Sequence, residues 1–518
     1  MEVLLRILAG IVSIIALILN TVLNWIVPRK VPIYPPMRNK LLTLSLGDLV
    51  IELRTKKLTS EKLVRAYIER IEQINPYLNA VVEDRFQEAL KDAQHADQLI
   101  AKTNEEQLAT LFARYPLLGI PFTVKESCGL KGLSFVVGSV HRINEKCPDN
   151  GETIELLRSA GCIPLLVSSN PEYCLSLQTS THTHGRCNNP YDLRRTTAGS
   201  SGGEGALNGS GASLFGIGSD IGGSIRLPAL FCGVFGHKST GGLLSIRGHF
   251  PNSETDVSFH KYLQVGPITR FARDLPILLQ IMAGKNTKDI KIYYAYGFDG
   301  INRFTHPPTA FDIKLSILRA VKCFEKGGLE TKEVSIKGFK NALEICLSGL
   351  VSLEGIPSLV SQSTKIKPTP KILLIEFLRS LIGHSLYTTD ALFMELVHGI
   401  KAFIPKNKIE IYKNEAKALK QELIDLLGTN GVLFFPTFHT PAIHFNTMIF
   451  NIVSIDMMLL FNVLGLPSTH VTMGLDRQGL PVGFQVIAAP YQDKLCLQIA
   501  AELEVAFEGW IEPKTKEV

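Results

Sequence analysis

No run of lysine and arginine interleaved with aromatics occurs in these 518 residues, and the formal net charge of +6 is mild for that length. Without a basic stripe the chain lacks the footprint that a phosphate backbone demands, which argues against nucleic acid as a partner. CxxC pairs are also missing: the nine cysteines, at 128, 147, 162, 174, 187, 232, 323, 346 and 496, are odd in number and scattered. That pattern fits buried free thiols and excludes both a disulfide framework and a thiolate zinc site. His182 and His184 stand two apart with no acidic or cysteine ligands in a metal pattern, so no metal and no cofactor are expected. No Gly-Lys-Ser/Thr closes a phosphate-binding loop. Internal repeats are absent, and so is any linker beyond residue 40, so the body of the chain reads as one large domain.

What is present begins with an uncharged run, residues 7–27, just long enough to span a bilayer as a helix. Asn20 and Asn24 weaken the span, while Trp25 stands where an interfacial anchor is useful. A membrane-anchoring helix is the leading reading. A cleaved signal peptide and a buried core helix are the alternatives, the former lacking a small-x-small cleavage site. Arg29, Lys30, Arg38 and Lys40 outnumber the basic residues before the run, which favours a cytosolic body. Pro28, Pro32, Pro35 and Pro36 predict an extended spacer over 28–40.

Apolar residues at Leu63, Val64, Tyr67, Ile68 and Ile71 predict a helix capped at Thr59 or Ser60 and stopped at Asn75-Pro76. Helices are also expected over 86–102, 153–159 and 493–507. Residues 117–127 read as a buried strand ending at Lys125, an unusual place for lysine, which is almost never buried unpaired. Further strands are expected within 161–170, 431–438, 466–475 and 480–489, and alternation of this kind predicts an α/β core. The stretch 285–430 reads as mostly helical; within it 371–384 fits either a core helix or a cap that faces lipid.

The most distinctive segment is 199–242, roughly a third glycine against about 7% in an average protein. Its glycines are clustered and interleaved with apolar residues, so it reads as a buried site made of backbone amides and hydroxyls, not a linker. GSSGG at 199–203 fits the nucleophile-elbow pattern and would make Ser201 the nucleophile, but no apolar strand precedes it. SFHK at 258–261 lacks the companion motifs of a Ser-x-x-Lys hydrolase. The glycosylation sequon at Asn208 falls inside the expected core.

TTAGSSGGEGAL followed by GIGSDIGGSIRLPA, with PFTVKES upstream, resembles the amidase signature family over about Lys40 to Pro513. The apolar N-terminus and the wording GSDIGGSIR…FCGVFGHK are most similar to its membrane-anchored, lipid-amide-cleaving branch. The resemblance implies one large α/β domain over 41–513, a mixed, twisted central β-sheet covered by helices, behind the 7–27 anchor and 28–40 spacer. It implies Ser224 as nucleophile, Ser200 as bridge and Lys125 as base, with the N–H groups of Ile221, Gly222, Gly223 and Ser224 as oxyanion hole. Cys174 falls where the family contacts the acyl chain. A cis peptide is implied at Gly199–Ser200, and Ser201 supports the site without reacting.

Physical chemistry fits that division of labour. A serine hydroxyl needs an adjacent base, and a free lysine, near pKa ~10.4, must be lowered by roughly two to three units to act as one at neutral pH. Asp220 and Arg226 read as a structural ion pair. Where the family commonly carries glycine this chain has Ala198, which implies a φ below zero there; Gly218-Ser219-Asp220 replaces the common Gly-Thr-Asp. The implied activity is hydrolysis of primary fatty-acid amides and N-acylethanolamines to fatty acid plus ammonia or amine. Other readings are a small-amide amidase, a glutaminase-type amidotransferase subunit, or a catalytically silent membrane scaffold. The implied partners are a lipid amide and a membrane, single-pass or monotopic, that of the endoplasmic reticulum or a lipid droplet; a homodimer stays open.

Overall fold

The computed structural model describes residues 2–27, 30–253, 255–283, 290–360, 368–400 and 404–516. Pro28 and Arg29 of the expected spacer, and parts of the 285–430 stretch, lie outside the described residues. Eleven strands form one mixed sheet. They are β1 (Val81–Asp84), β2 (Pro121–Lys125), β3 (Ile163–Ser168), β4 (Phe215–Asp220), β5 (Phe235–Lys238) and β6 (Gln264–Thr269). The remainder are β7 (Lys291–Tyr294), β8 (Thr331–Glu333), β9 (Gly431–Phe435), β10 (Ser468–Leu475) and β11 (Pro481–Ala488). Their order is β1-β3-β2-β4-β6-β5-β10-β11-β9-β7-β8. Every residue of β2, β3, β4, β9 and β11 is buried, as in strands covered on both faces.

Strand direction places the chemistry. β2 runs parallel to β3 on one side and β4 on the other, with Val124 opposite Ile217 and Lys125 opposite Ser168. The carboxyl ends of all three therefore open on one edge of the sheet, where crevices in such sheets form. Lys125 is the last residue of β2, and β4 delivers the chain at Asp220 directly into the 221–225 loop. Helix Gly202–Gly209 packs against β4 and against Arg226–Cys232. Gly216 on β4 has no room for a side chain: a Cβ there would lie 1.6 Å from Glu204 Oε2 of that helix.

Several sequence expectations are met closely: the structure forms helices over Phe86–Lys102, Glu152–Ser159 and Asp493–Phe507. One stop is misplaced. The helix that begins at Ser60 runs through Pro76 to Leu78, because Asn79 adopts the left-handed conformation (φ 53°) and donates its N–H to Asn75 O. Asn75 Oδ1 then takes the N–H groups of Ala80 and Val81. The 371–384 stretch forms helix Pro370–Leu381, which buries only Leu373 and turns Leu374, Ile375, Leu378 and Leu381 outward. The core reading of that segment does not hold.

Near the N-terminus, helix Glu2–Ile26 is long and apolar enough to cross a membrane. It is nonetheless docked on the body. Leu5, Ala9, Ser13 and Ala16 are buried, whereas Val3, Ile7, Ile14, Ile18 and Trp25 face outward. Arg6 Nε bonds Glu344 at 2.5 Å, Ser13 Oγ donates to Thr305 O, and Asn20 donates to Asn451. Asn24 accepts from Arg195 Nη2. The two asparagines that weaken a free span are thus contacts with the body. The expected spacer is likewise held down over its described part: Lys30 N–H donates to Asp192, Tyr34 is buried with its hydroxyl on Pro190 O, and Arg70 bonds Pro35 O. Gly10 allows the closest approach, since a Cβ there would sit 2.8 Å from Phe304 O. Overpacking of this kind costs about 1–3 kcal/mol. Gly10→Val is therefore expected to loosen the helix and to accelerate amide hydrogen exchange over 448–455, against which it packs, while β4 stays protected. Unchanged exchange over 448–455 would contradict the docking.

Candidate active site

At the shared edge of β2, β3 and β4 lies a cavity of about 190 Å³. Its polar end carries Ser200, Ser219, Ser224, His249 and the backbone of Ile221 and Gly222, and most of its remaining wall is apolar, including Phe259, Leu263, Leu347, Leu350, Ile455 and Leu459. Larger furrows near Asn39 and Arg65 are open and lined by charged side chains, and they hold none of these groups.

Lys125 is completely buried. Its Nζ lies 2.7 Å from Ser200 Oγ and 2.9 Å from Ser219 Oγ, and it contacts no carboxylate among the described residues. Ser224, on the loop after β4, opens on the same cavity, and its carbonyl accepts the Ser201 N–H at 3.1 Å, which ties the two serine segments together. The Ser224 hydroxyl itself makes no hydrogen bond among the described residues. The peptide between Gly199 and Ser200 is cis, as the resemblance implies. Cys174 borders the cavity, with a left-handed φ of 58°.

Two expectations need correction. Ala198 has φ 65°, not a negative value. A left-handed alanine costs roughly 1–2 kcal/mol; here it is held from both sides. Its N–H donates to Thr196 Oγ1, and its carbonyl accepts from Thr179 Oγ1 and Thr197 Oγ1. Gly223 is the second. Its N–H already donates to Asp220 Oδ1 at 2.8 Å, which leaves Ile221, Gly222 and Ser224 as the uncommitted amides of that loop among the described residues. Gly223 serves through its shape instead: with φ 110°, a Cβ there would lie 2.3 Å from Met458 Sδ.

Asp220 and Arg226 form the buried ion pair that the sequence suggested, both at 0% exposure. Arg226 grips Asp220 through Nε at 3.0 Å and Nη2 at 2.9 Å, and adds Gln485 Oε1 at 2.7 Å and Asn462 Oδ1 at 2.5 Å. Burial alone would raise the Asp220 carboxyl, but the Arg226 guanidinium outweighs it and holds the group well below the usual carboxylate range. Asp220 also accepts the N–H groups of Ile225 and Arg226. Ser201 Oγ contacts Ser219 O and N at 3.3 Å, behind the reacting groups.

Three groups at the site were not singled out from the sequence. Ser219 and His249 complete the surroundings of Lys125, with His249 Nε2 at 2.9 Å from Ser219 Oγ. Glu204 is buried beside the site, where burial pushes its carboxyl up to about 7 against the opposing effect of Thr123 and Ser168 hydroxyls and of Lys125. Ser219 could have been suspected from its place in Gly218-Ser219-Asp220. His249 has no comparable signal.

A family model described as Amidase matches residues 62–497. Fatty-acid amide hydrolase 2-A of Danio rerio is 37% identical over 497 residues, covering 92% of this chain and 91% of that protein. Fatty-acid amide hydrolase 2 of Homo sapiens is 33% identical over 498 residues, covering 92% of each. Among solved structures, one titled fatty acid amide hydrolase superposes with a TM-score of 0.71 at 20% identity, covering 90% of this chain and 85% of that one, and shows the shared fold.

Removing one partner of a buried, hydrogen-bonded ion pair costs about 3–5 kcal/mol, so Asp220→Asn should lower stability by that order in denaturant titrations near neutral pH. A depressed carboxylate contributes stability above its unfolded pKa of about 3.9 and loses it as pH falls through the folded value. The gap between wild type and Asp220→Asn should thus narrow below about pH 4, and a gap constant with pH would contradict the assignment.

Proposed function

The chain belongs to the amidase family, and from that premise we propose that it is a serine hydrolase of fatty-acid amides working through Ser224, Ser200 and Lys125. The observation that carries the reading is the 2.7 Å contact of a wholly buried Lys125 amine with Ser200, at the polar end of an otherwise largely apolar cavity that Ser224 also lines. An acyl chain fits such walls, and a carboxamide fits the polar end. The 33–37% identity to fatty-acid amide hydrolases supports the same substrate class.

In the proposed cycle Lys125 is a neutral amine. It takes the Ser200 hydroxyl proton as Ser200 takes that of Ser224, and Ser224 Oγ forms a bond to the amide carbonyl carbon. The carbonyl oxygen becomes an oxyanion facing the N–H groups of Ile221, Gly222 and Ser224, each such donor being worth about 3–4 kcal/mol of barrier. The tetrahedral intermediate collapses as the proton held by Lys125 returns through Ser200 to the leaving nitrogen, the C–N bond breaks, and amine or ammonia departs. Water then attacks the acyl-Ser224 ester by the same relay and releases the fatty acid. Protonation of nitrogen is the demanding requirement, because an unprotonated amide nitrogen is a poor leaving group. The relay supplies it without a histidine in the path.

We further assign residues 41–513 to the amidase domain and the outward faces of Glu2–Ile26 and Pro370–Leu381 to a membrane surface. Leu374, Ile375, Leu378 and Leu381 on one helix and Ile7, Ile14, Ile18 and Trp25 on the other present apolar side chains to the exterior. A monotopic or single-pass attachment, as in the endoplasmic reticulum or a lipid droplet, would bring the enzyme to substrates that partition into lipid.

Detergent-solubilised protein given oleoyl amide and glutamine in parallel tests the reading. Release of oleic acid without release of ammonia from glutamine is expected, with the oleoyl amide turnover abolished in Ser224→Ala. Turnover of glutamine but not oleoyl amide would overturn the lipid assignment, and turnover surviving in Ser224→Ala would overturn the nucleophile.

A further inference from the structure

Lys125 touches two hydroxyls, Ser200 at 2.7 Å and Ser219 at 2.9 Å, and the proposed cycle uses only the first. A neutral lysine amine has two N–H donors and one lone pair, and either hydroxyl can approach as donor or acceptor. Only one arrangement is productive. The lone pair must face the Ser200 hydroxyl hydrogen, so Ser219 has to receive an N–H. If Ser219 turned its own hydrogen toward Lys125, it would occupy the lone pair, and the base could offer Ser200 nothing but N–H groups.

The structure decides which way Ser219 points. His249 Nδ1 lies 2.9 Å from Pro251 O, and a carbonyl only accepts, so Nδ1 carries the ring hydrogen. Burial pushes the His249 imidazole down to about 3, so the ring is neutral and Nε2 presents a lone pair. Nε2 faces Ser219 Oγ at 2.9 Å and Ser127 Oγ at 3.1 Å. Ser219, the nearer of the two hydroxyls, directs its hydrogen at the Nε2 lone pair, and its oxygen lone pairs remain for the Lys125 N–H. His249, Ser219 and Ser127 are all buried.

We propose that His249 is a positioning residue, acting through Ser219, whose fixed tautomer aims the lone pair of Lys125 at Ser200. The inference rests on Lys125 being the base of the proposed cycle. The chain of hydrogen bonds is directional: Pro251 O accepts from His249, His249 accepts from Ser219, Ser219 accepts from Lys125, and Lys125 accepts the Ser200 proton. His249 does not touch the reacting atoms in this scheme and gains or loses no proton.

Kinetics of oleoyl amide hydrolysis by wild type, Ser219→Ala, His249→Leu, His249→Gln and the Ser219→Ala/His249→Leu double variant test it, with thermal melting to compare folding. Misaimed catalytic groups cost up to about a hundredfold in rate. His249→Leu is expected to lower kcat by about ten- to a hundredfold with KM changed by less than about twofold. His249→Gln, whose amide oxygen can accept from Ser219 while its nitrogen donates to Pro251 O, should recover most of that loss. If His249 acts through Ser219, the double variant should be no slower than Ser219→Ala alone. Should His249→Leu fail to fold, Ser219→Ala carries the test by itself: it removes the hydroxyl that fixes Lys125 and is expected to show the same kcat loss at unchanged KM. Additive losses in the double variant, or single variants of near-wild-type kcat, would overturn the proposal. Lys125→Ala measured in the same series separates the two readings: near-wild-type turnover there would sink the proposed cycle itself, whereas lost turnover there with indifferent Ser219 and His249 variants would sink only the positioning role.

Discussion

The geometry of the site depends on one buried ion pair. Asp220 ends a central strand, and its carboxylate gathers the N–H groups of Gly223, Ile225 and Arg226 while Arg226 donates to it through the Nε–Nη2 edge of its guanidinium. A carboxylate that accepts this many hydrogen bonds curls the 221–226 loop tightly around itself. The loop is thereby turned so that Ile221, Gly222 and Ser224 keep free amides. Arg226 also reaches Met458 O, Asn462 and Gln485, so the loop is bolted to the segment after residue 456 and to β11. Burying two charges is costly, and their mutual attraction repays it only with such complete hydrogen bonding. The reward is directional: three amides and a hydroxyl fixed on one cavity wall, where a developing oxyanion would meet dipoles that need not reorganise.

Around that pair, strand direction does the assembly. Because β2 and β4 are parallel neighbours, a lysine ending one and a loop following the other arrive together without any long connection to bring them there. Lys125 is buried, and its contacts are serine hydroxyls and no carboxylate among the described residues. The carboxyl of Glu204, buried beside the site, is itself engaged by Thr123 and Ser168 and raised to about 7. The site thus combines a buried lysine, a serine hydroxyl beside it and a largely apolar chamber, and on that set the proposed attack on an uncharged amide with an apolar tail rests.

Much of this was legible beforehand. Long amphipathic helices such as Phe86–Lys102 and Asp493–Phe507, and buried β-branched strands such as Ile163–Ser168, declare themselves by period and composition. The serines and Lys125 were legible only through the motif, since nothing in composition ranks Ser224 above Ser201. What stayed hidden is what tertiary contacts decide. Ala198 takes a left-handed φ because three threonine hydroxyls hold it, two of them its near neighbours and one nineteen residues away. Pro76 sits inside a helix because Asn79 supplies the cap. His249 matters through contacts 30 and 122 residues distant in sequence, in a loop with no pattern to mark it. The N-terminal helix is the subtlest case, because an apolar run reads alike whether it is exposed or packed on protein; here one face is buried and the other exposed, and Arg6, Ser13, Asn20 and Asn24 mark the docked side.

The central claim is that Lys125 serves twice, as base toward Ser200 and as the source of the proton that frees the amine. A fatty-acid amide and the methyl ester of the same acid share the acyl chain and the oxyanion, but only the amide needs its leaving group protonated. Turnover of this matched pair by wild type and Lys125→Ala at neutral pH isolates that demand. The account predicts amide hydrolysis falling by about 10²–10⁴ and ester hydrolysis by much less, so that the amide-to-ester ratio collapses. A ratio unchanged by the substitution, or amide turnover near that of wild type, would contradict it.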